Sequence, residues 1–408
     1  MEHPFYRMAV FDGERVRAPR EDELRPLPPG SDLFLLPGRA PVGLNPDTGG
    51  PEILGGMEAI SGFASPSFLR LTHPAYSAGE DAPMLPLYAY APLGIRRGRF
   101  YTTVVRVERS HRQDPARFDR RLIGRRALAL VRRRPGNRLV AHLRHCAMDY
   151  GCRAAQNFFL GREECPLPTA STCNATCLGC LSHQPAGGVR ASHDRIEFTP
   201  TPEEIAEVAM IHIERVRRPV VSFGQGCEGE PLVVADTLVE AVKLIRRCTD
   251  RGTINLNTNG SRPDAVAALC EAGLDSIRLS VNSFREPVYE SYFRPRGYTL
   301  GDVLASGRTV RDTGGFVSVN LLVFPGVSDR PADLDATLAG MWEVGADLVQ
   351  MRNLNIDPQG YLELIGSAED GSPMGLVAAM GKMKDAFPTL RFGYFNPPVR
   401  TLVKKRRR

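Results

Sequence analysis

Hydrophobic positions along the chain follow two regimes. From about Cys165 onward, apolar runs of strand length alternate with stretches whose apolar residues recur every three or four positions. Val220 to Phe223, Thr253 to Asn257, Ser276 to Val281, Phe316 to Val323 and Asp347 to Met351 are such runs, the pattern of strands covered on both faces of a parallel sheet. Between them, Pro202 to Arg217 places Ile205, Val208, Ala209, Ile213 and Val216 on one helical face. Val233 to Arg247, Pro263 to Ala272, Thr299 to Thr313 and Pro331 to Val344 read as further helices. Thr201 before Pro202, with Glu204 three residues on, marks a helix start. Repeated strand–helix units predict an α/β fold with a parallel sheet and an active site at the carboxyl ends of its strands.

Upstream the texture differs. Residues 1 to about 95 are rich in proline and glycine, as in Pro26-Leu27-Pro28-Pro29-Gly30, and predict short strands with long connections. Phe100 to Val107 reads as a strand. Ala127 to Val131 and Leu139 to Leu143 flank Arg134-Pro135-Gly136-Asn137, a turn sequence that predicts a hairpin. The expected organisation is a β- and loop-rich accessory domain over residues 1–150, an α/β core over 160–360 and a carboxyl-terminal extension over 361–408 with a basic tail.

Composition narrows the classes. A chain of 408 residues that is 42% hydrophobic buries a sizeable core without a disulfide or metal staple. No apolar run approaches the ~20 residues that a bilayer requires, so no membrane span is expected. Charges interrupt residues 1–15, so no signal-peptide apolar region is expected, and the chain is read as cytoplasmic. Nine cysteines in such a chain point to metal chemistry before disulfides. Residues 96–144 hold sixteen arginines against Glu108, Asp114 and Asp119, and Lys404 to Arg408 are all basic, although the whole chain carries only +6. That asymmetry favours a polyanionic partner, RNA or an acidic peptide, against the alternative of a merely solvated basic face.

The sharpest signal is Cys173-Asn174-Ala175-Thr176-Cys177-Leu178-Gly179-Cys180, which follows Pro166 to Ser171, read as a first strand entering a loop. Three thiolates so spaced can hold three irons of a four-iron cluster and leave the fourth open for chemistry. Two other readings share the spacing: a zinc site completed by His183, and three cysteines lining one helical face.

With its neighbours, this run resembles the radical S-adenosylmethionine (radical SAM) superfamily over roughly residues 165–355. Ser222 to Leu232, containing Glu228-Gly229-Glu230-Pro231, is similar to the superfamily's Gly-Gly-Glu-Pro motif. Asn257-Thr258-Asn259-Gly260 resembles the end of its third strand, Arg278 to Asn282 its ribose-binding fourth, and Val319-Asn320-Leu321 through Pro325-Gly326 its fifth. The resemblance implies a partial (βα)6 TIM-like barrel. It also implies a [4Fe-4S] cluster on Cys173, Cys177 and Cys180, with the amine and carboxylate of S-adenosylmethionine on the open iron. Electron transfer into the sulfonium, from a flavodoxin- or ferredoxin-type donor, would then yield a 5′-deoxyadenosyl radical that abstracts hydrogen. Glu230 would accept a hydrogen bond from the methionyl amine, and Gly229 would permit close backbone approach. Thr258 and Asn259 would stand beside the cofactor, Ser280 and Asn282 would bond the ribose, and Asn320 would meet the carboxylate or ribose.

This sequence departs from the family pattern in two places. Gly179 stands where an aromatic residue usually precedes the third cysteine, so adenine packing must come from elsewhere, Phe223 or backbone. Glu228 is an additional carboxylate in the glutamate motif, which leaves open which glutamate takes the amine. Cys146, Cys152, Cys165 and Cys227 are candidate ligands of an auxiliary [4Fe-4S] cluster, with buried free thiols as the alternative. Cys248, Cys270 and His212 read as structural, and Arg352 and Asp357 either face substrate or pair at the barrel rim. Three functions compete: a radical SAM enzyme modifying RNA or a peptide, one acting on a small metabolite, and a zinc- or iron–sulfur-binding nucleic-acid adaptor.

Overall fold

The computed structural model describes residues 6–186, 188–366 and 371–407. Its centre is one sheet of seven parallel strands in sequential order: β1 (Glu164–Pro166), β2 (Val220–Phe223), β3 (Thr253–Thr258), β4 (Ser276–Val281), β5 (Phe316–Val323), β6 (Leu348–Asn353) and β7 (Arg391–Gly393). Sequential order with a helix between neighbours curls the sheet into a half-barrel. The strand runs expected from the sequence are present, except that the first strand ends at Pro166 and the next residues already form the loop. The helices are α1 (Arg120–Arg133), α2 (Arg138–Met148), α3 (Arg153–Leu160), α4 (Pro202–Arg215), α5 (Ala235–Cys248), α6 (Pro263–Ala272), α7 (Glu286–Phe293), α8 (Leu300–Asp312), α9 (Pro331–Val344), α10 (Pro358–Ile365), α11 (Leu376–Ala386) and α12 (Arg400–Arg406).

Alternation along each strand sorts its residues into two faces. Ile254, Leu256, Ile277, Leu279, Val317, Val319, Val349 and Met351 join the main apolar core. The opposite face lines a polar lumen with Asn255, Asn257, Arg278, Ser280, Ser318, Asn320, Gln350 and Arg352. Phe316 and Leu348 form the floor of that lumen, where they pack on Val399 and Val403 of the α12 segment. Thr201 and Glu204 make the expected reciprocal cap of α4. His212 is a core histidine, as expected: its Nε2 lies 3.1 Å from the Glu163 carbonyl, and burial lowers its pKa to about 4.

The expected hairpin around Arg134 to Asn137 is instead a helix–turn–helix. Ala127 to Val131 closes α1 and Leu139 to Leu143 opens α2. Over a longer window the apolar residues repeat helically: Ile123, Ala127 and Leu130 are buried on α1, and Leu139, Val140, Leu143, Cys146 and Ala147 on α2. The Asp119 side chain caps the Arg121 and Leu122 amides, and Asn137 caps Val140, so each helix has its own start signal. Residues 361–408 also do more than extend the core, since they supply β7 and α12. Arg400, Lys404 and Arg406 pair there with Asp275, Asp250 and Asp347.

Residues 6–106 form small antiparallel sheets, as the composition predicted, and Arg99–Arg106 is the strand expected near Phe100. This region docks on the carboxyl ends of β5 and β6. His73 Nε2 lies 2.9 Å from the Pro325 carbonyl, and the Arg70 amide donates to Asn353 Oδ1 at 2.9 Å. Asp357 accepts from the Arg39 guanidinium at 3.0 Å and the Leu85 amide at 2.8 Å while capping α10, so it pairs at the rim instead of facing substrate. Both partners of that ion pair are buried. Removing one strands the other charge out of water, so Asp357→Ala is expected to lower unfolding free energy by ~3–5 kcal/mol in denaturant titration, and Asp357→Asn by less.

Candidate active site

The cysteine loop leaves β1 and lies along the carboxyl-terminal end of α7. The Thr176 amide donates to the Phe293 carbonyl at 3.2 Å and the Leu178 amide to the Tyr292 carbonyl at 3.0 Å. Arg296 donates hydrogen bonds from its backbone amide to the Asn174 carbonyl at 2.9 Å and from its guanidinium to the Cys173 carbonyl at 3.0 Å. Held in this way the loop is irregular, so its cysteines do not line a helical face. His183 is exposed, and among the described residues it forms no compact donor group with the three thiols.

Cys173, Cys177 and Cys180 are all partly accessible. Burial, together with Glu230 for Cys173 and with the neighbouring thiols for Cys177, pushes both of those thiols above their ordinary range. Such thiols become thiolates when a cation compensates them. Among the described residues no histidine or carboxylate joins them as a fourth donor, so three thiols on three irons of a cluster would leave its fourth iron open. The donor set therefore fits an iron–sulfur cluster.

The second half of the site is the loop after β2. Gly229 donates its amide to the Ala170 carbonyl at 2.6 Å, and Glu230 donates to the Thr172 carbonyl at 3.0 Å. A Cβ at Gly229 would stand 1.8 Å from the Thr172 carbonyl oxygen, so glycine is needed for contact between the two loops, a different reason from approach to a cofactor. Glu228 is consumed by this junction. Its carboxylate accepts from the Thr169 amide (2.6 Å) and hydroxyl (3.0 Å), the Ala170 amide (3.0 Å) and the Gln225 amide (2.6 Å). Glu230 Oε1 accepts from Thr258 Oγ1 and the Leu232 amide, and Oε2 from the Asn259 amide alone. Of the two glutamates, Glu230 retains acceptor capacity for an amine. Burial raises both carboxyls to about 7.

Thr258 and Asn259 thus hold Glu230, and the Asn259 amide group also reaches Asn174 Oδ1 in the cysteine loop at 2.8 Å. At the end of β4, Ser280 Oγ accepts from Asn320 Nδ2 at 3.1 Å, and Asn320 Oδ1 is buried with no partner among the described residues. Asn282 bonds the Val288 carbonyl and Tyr361 hydroxyl through Nδ2, so it braces α7 and α10, while its Oδ1 is unpartnered. Deeper in the lumen the Nε atoms of Arg278 and Arg352 are buried with no partner among the described residues.

Tyr292 was not foreseen from the sequence. A Cβ at Gly179 would meet the Tyr292 hydroxyl at 2.5 Å, so this tyrosine from α7 takes the space beside the third cysteine. Phe223 is buried in the core instead. The signal was present in Tyr289, Tyr292 and Phe293, whose spacing gives a helix one aromatic face. Of the four other candidate cysteines, Cys146 and Cys227 come together, joined by His142; Cys152 and Cys165 lie outside that group.

The family model described as "Radical SAM superfamily" matches residues 167–338, the span that carries the cysteine loop, Glu228 and Glu230, Ser280, Tyr292 and Asn320. Residues 167–338 are a radical SAM domain, and the chain that carries it is an enzyme. Similar solved structures include a radical SAM methyltransferase from Sphaerobacter thermophilus, 16% identical, over 58% of this chain and 67% of that one, with a TM-score of 0.40. SuiB of Streptococcus suis is 10% identical over 62% of this chain and 55% of its own, with a TM-score of 0.40. The [FeFe]-hydrogenase maturase HydG of Carboxydothermus hydrogenoformans is 15% identical over 70% and 74%, with a TM-score of 0.39. Among curated proteins no sequence matches.

For this radical SAM domain the loop junction predicts a sharp glycine dependence. Gly229→Ala must displace the Thr172 carbonyl, and is expected to lower iron retained after anaerobic reconstitution and to weaken S-adenosylmethionine binding at least tenfold by equilibrium dialysis. Gly136→Ala, in an open turn with nothing near its side-chain position, serves as the neutral control.

Proposed function

We propose that the chain reductively cleaves S-adenosylmethionine at a [4Fe-4S] cluster held by Cys173, Cys177 and Cys180, and abstracts hydrogen from a macromolecular substrate, RNA ahead of peptide. When bound, the cluster supplies the electron that splits the sulfonium, received from a flavodoxin- or ferredoxin-type donor. The chain's own residues bind and orient. Glu230 Oε2 accepts a hydrogen bond from the methionyl amine while Thr258 and Asn259 fix the carboxylate. Ser280 and the free Oδ1 of Asn320 bond ribose hydroxyls, and Asn282 Oδ1 accepts a further donor. Tyr292 packs beside the adenosyl group in place of the missing loop aromatic.

The observation that carries the substrate class is the solvent face of α1. Arg120, Arg121, Arg125, Arg126, Arg132 and Arg133 are exposed there, and among the described residues none is in an ion pair. The carboxyl-terminal basic residues are different, because Arg400, Lys404 and Arg406 are committed to aspartates. An unpaired arginine stripe suits a phosphate backbone through bidentate contacts. A second reading, a small acidic metabolite, is favoured by Arg278 and Arg352, whose unpartnered Nε atoms line the lumen. The adaptor reading falls away with the assignment to an enzyme family.

Replacing Cys173, Cys177 and Cys180 together by alanine is expected to abolish 5′-deoxyadenosine formation with dithionite as reductant; persistence of that product overturns the assignment. Replacing Arg121, Arg125 and Arg132 by alanine is expected to weaken RNA binding by tenfold or more. The slope of its salt dependence should flatten by about one logarithmic unit for each phosphate no longer neutralised. Salt-insensitive substrate binding, unchanged in that variant, favours the small metabolite.

A further inference from the structure

We infer that His142, Cys146 and Cys227 form a binding site for a single zinc ion, separate from the cysteine loop, that ties α2 to the loop carrying Glu228 and Glu230. His142 and Cys146 are one turn apart on α2, so their side chains share a face. Cys227 arrives from the loop after β2, three residues before Glu230. One donor atom from each lies within 4.8 Å of the other two, and His142 Nε2 stands 3.4 Å from Cys146 Sγ. A tetrahedral ion with zinc–sulfur bonds of about 2.3 Å and zinc–nitrogen bonds of about 2.0 Å sets neighbouring donors about 3.5–3.8 Å apart. The His142–Cys146 pair is already near that separation, and Cys227, within 4.8 Å of both, reaches it by a modest inward movement of its side chain.

The donor chemistry selects the ion. Two thiolates and one imidazole suit zinc, and their two negative charges neutralise it, which suits a site where Cys146 is 2% exposed and Cys227 9%. Three protein ligands leave the fourth corner to a water. An auxiliary four-iron cluster would need three or four thiolates, each on a separate iron. Here Cys152 and Cys165 are not part of the group. The site would also fix the loop junction from outside: the Cys227 carbonyl accepts from the Ile196 amide at 2.8 Å, and the next residue is Glu228, which anchors Thr169 and Ala170. A zinc ion here is independent of which substrate the enzyme takes.

The test is elemental analysis of the full chain purified anaerobically from zinc- and iron-supplemented cells, beside the Cys173, Cys177, Cys180 triple alanine variant. About one zinc per chain is expected in both, while iron falls to background in the variant. His142→Ala and Cys227→Ser, introduced singly, should each lose the zinc by at least tenfold while keeping the far-ultraviolet circular dichroism of the parent. Cobalt added to the zinc-free triple variant should give thiolate-to-metal charge-transfer and tetrahedral ligand-field bands, absent when Cys146→Ser is added. The zinc site is overturned by about four irons remaining on the triple variant without zinc. It is equally overturned by anaerobically purified protein that holds no zinc, or by zinc retained in both single variants.

Discussion

Two backbone hydrogen bonds between loops far apart in sequence are what the active site depends on. The Gly229 and Glu230 amides donate to the Ala170 and Thr172 carbonyls, and the gap they leave admits no Cβ at Gly229. Glu228 reinforces the seam by collecting donors from Thr169, Ala170 and Gln225. A buried carboxylate so surrounded exchanges hydration for fixed dipoles and makes the loops move as one piece. The cysteine loop and the Glu230 carboxylate thereby share a rigid frame, although they come from opposite sides of β2 in the chain.

Much of this was legible beforehand, and the reason is physical. Strands with one face in the core and the other on a polar lumen leave regularly placed apolar residues, as Ile254 and Leu256 between Asn255 and Asn257, and helices between them leave a 3.6-residue period, so β2 to β6 and α4 to α9 could be placed, apart from α7. Short thiol spacing is likewise local information. Contacts set by tertiary structure were not legible: Tyr292 reaching Gly179, His142 joining Cys146 and Cys227, and Asp357 turning to Arg39. The hairpin expectation failed because Pro135-Gly136 is equally good at separating two helices. Deciding between them needed the longer window that includes Ile123 and Ala147, together with the caps Asp119 and Asn137. β7 escaped notice because three residues at a sheet edge carry almost no periodic signal.

The basic residues divide into two populations that composition alone could not separate. Those of α12 face Asp250, Asp275 and Asp347 and close the floor of the barrel, where their charge is spent on folding. Those of α1 face solvent. A net charge summed over the chain mixes the two, whereas only the second can raise the potential felt by a partner.

The half-barrel is an open arc, and open arcs can change their radius. Asn396, just beyond β7, opposes this: its Nδ2 donates to Glu164 Oε1 on β1 at 2.8 Å and to Asn257 Oδ1 on β3 at 3.0 Å, and its Oδ1 accepts from Gln350 on β6 at 2.8 Å. One amide thus works as a crossbar between the first strand and the sixth. The calibre of the chamber is therefore governed from its closed end, and a change at Asn396 would alter the chamber's width without touching the cysteine loop or Glu230.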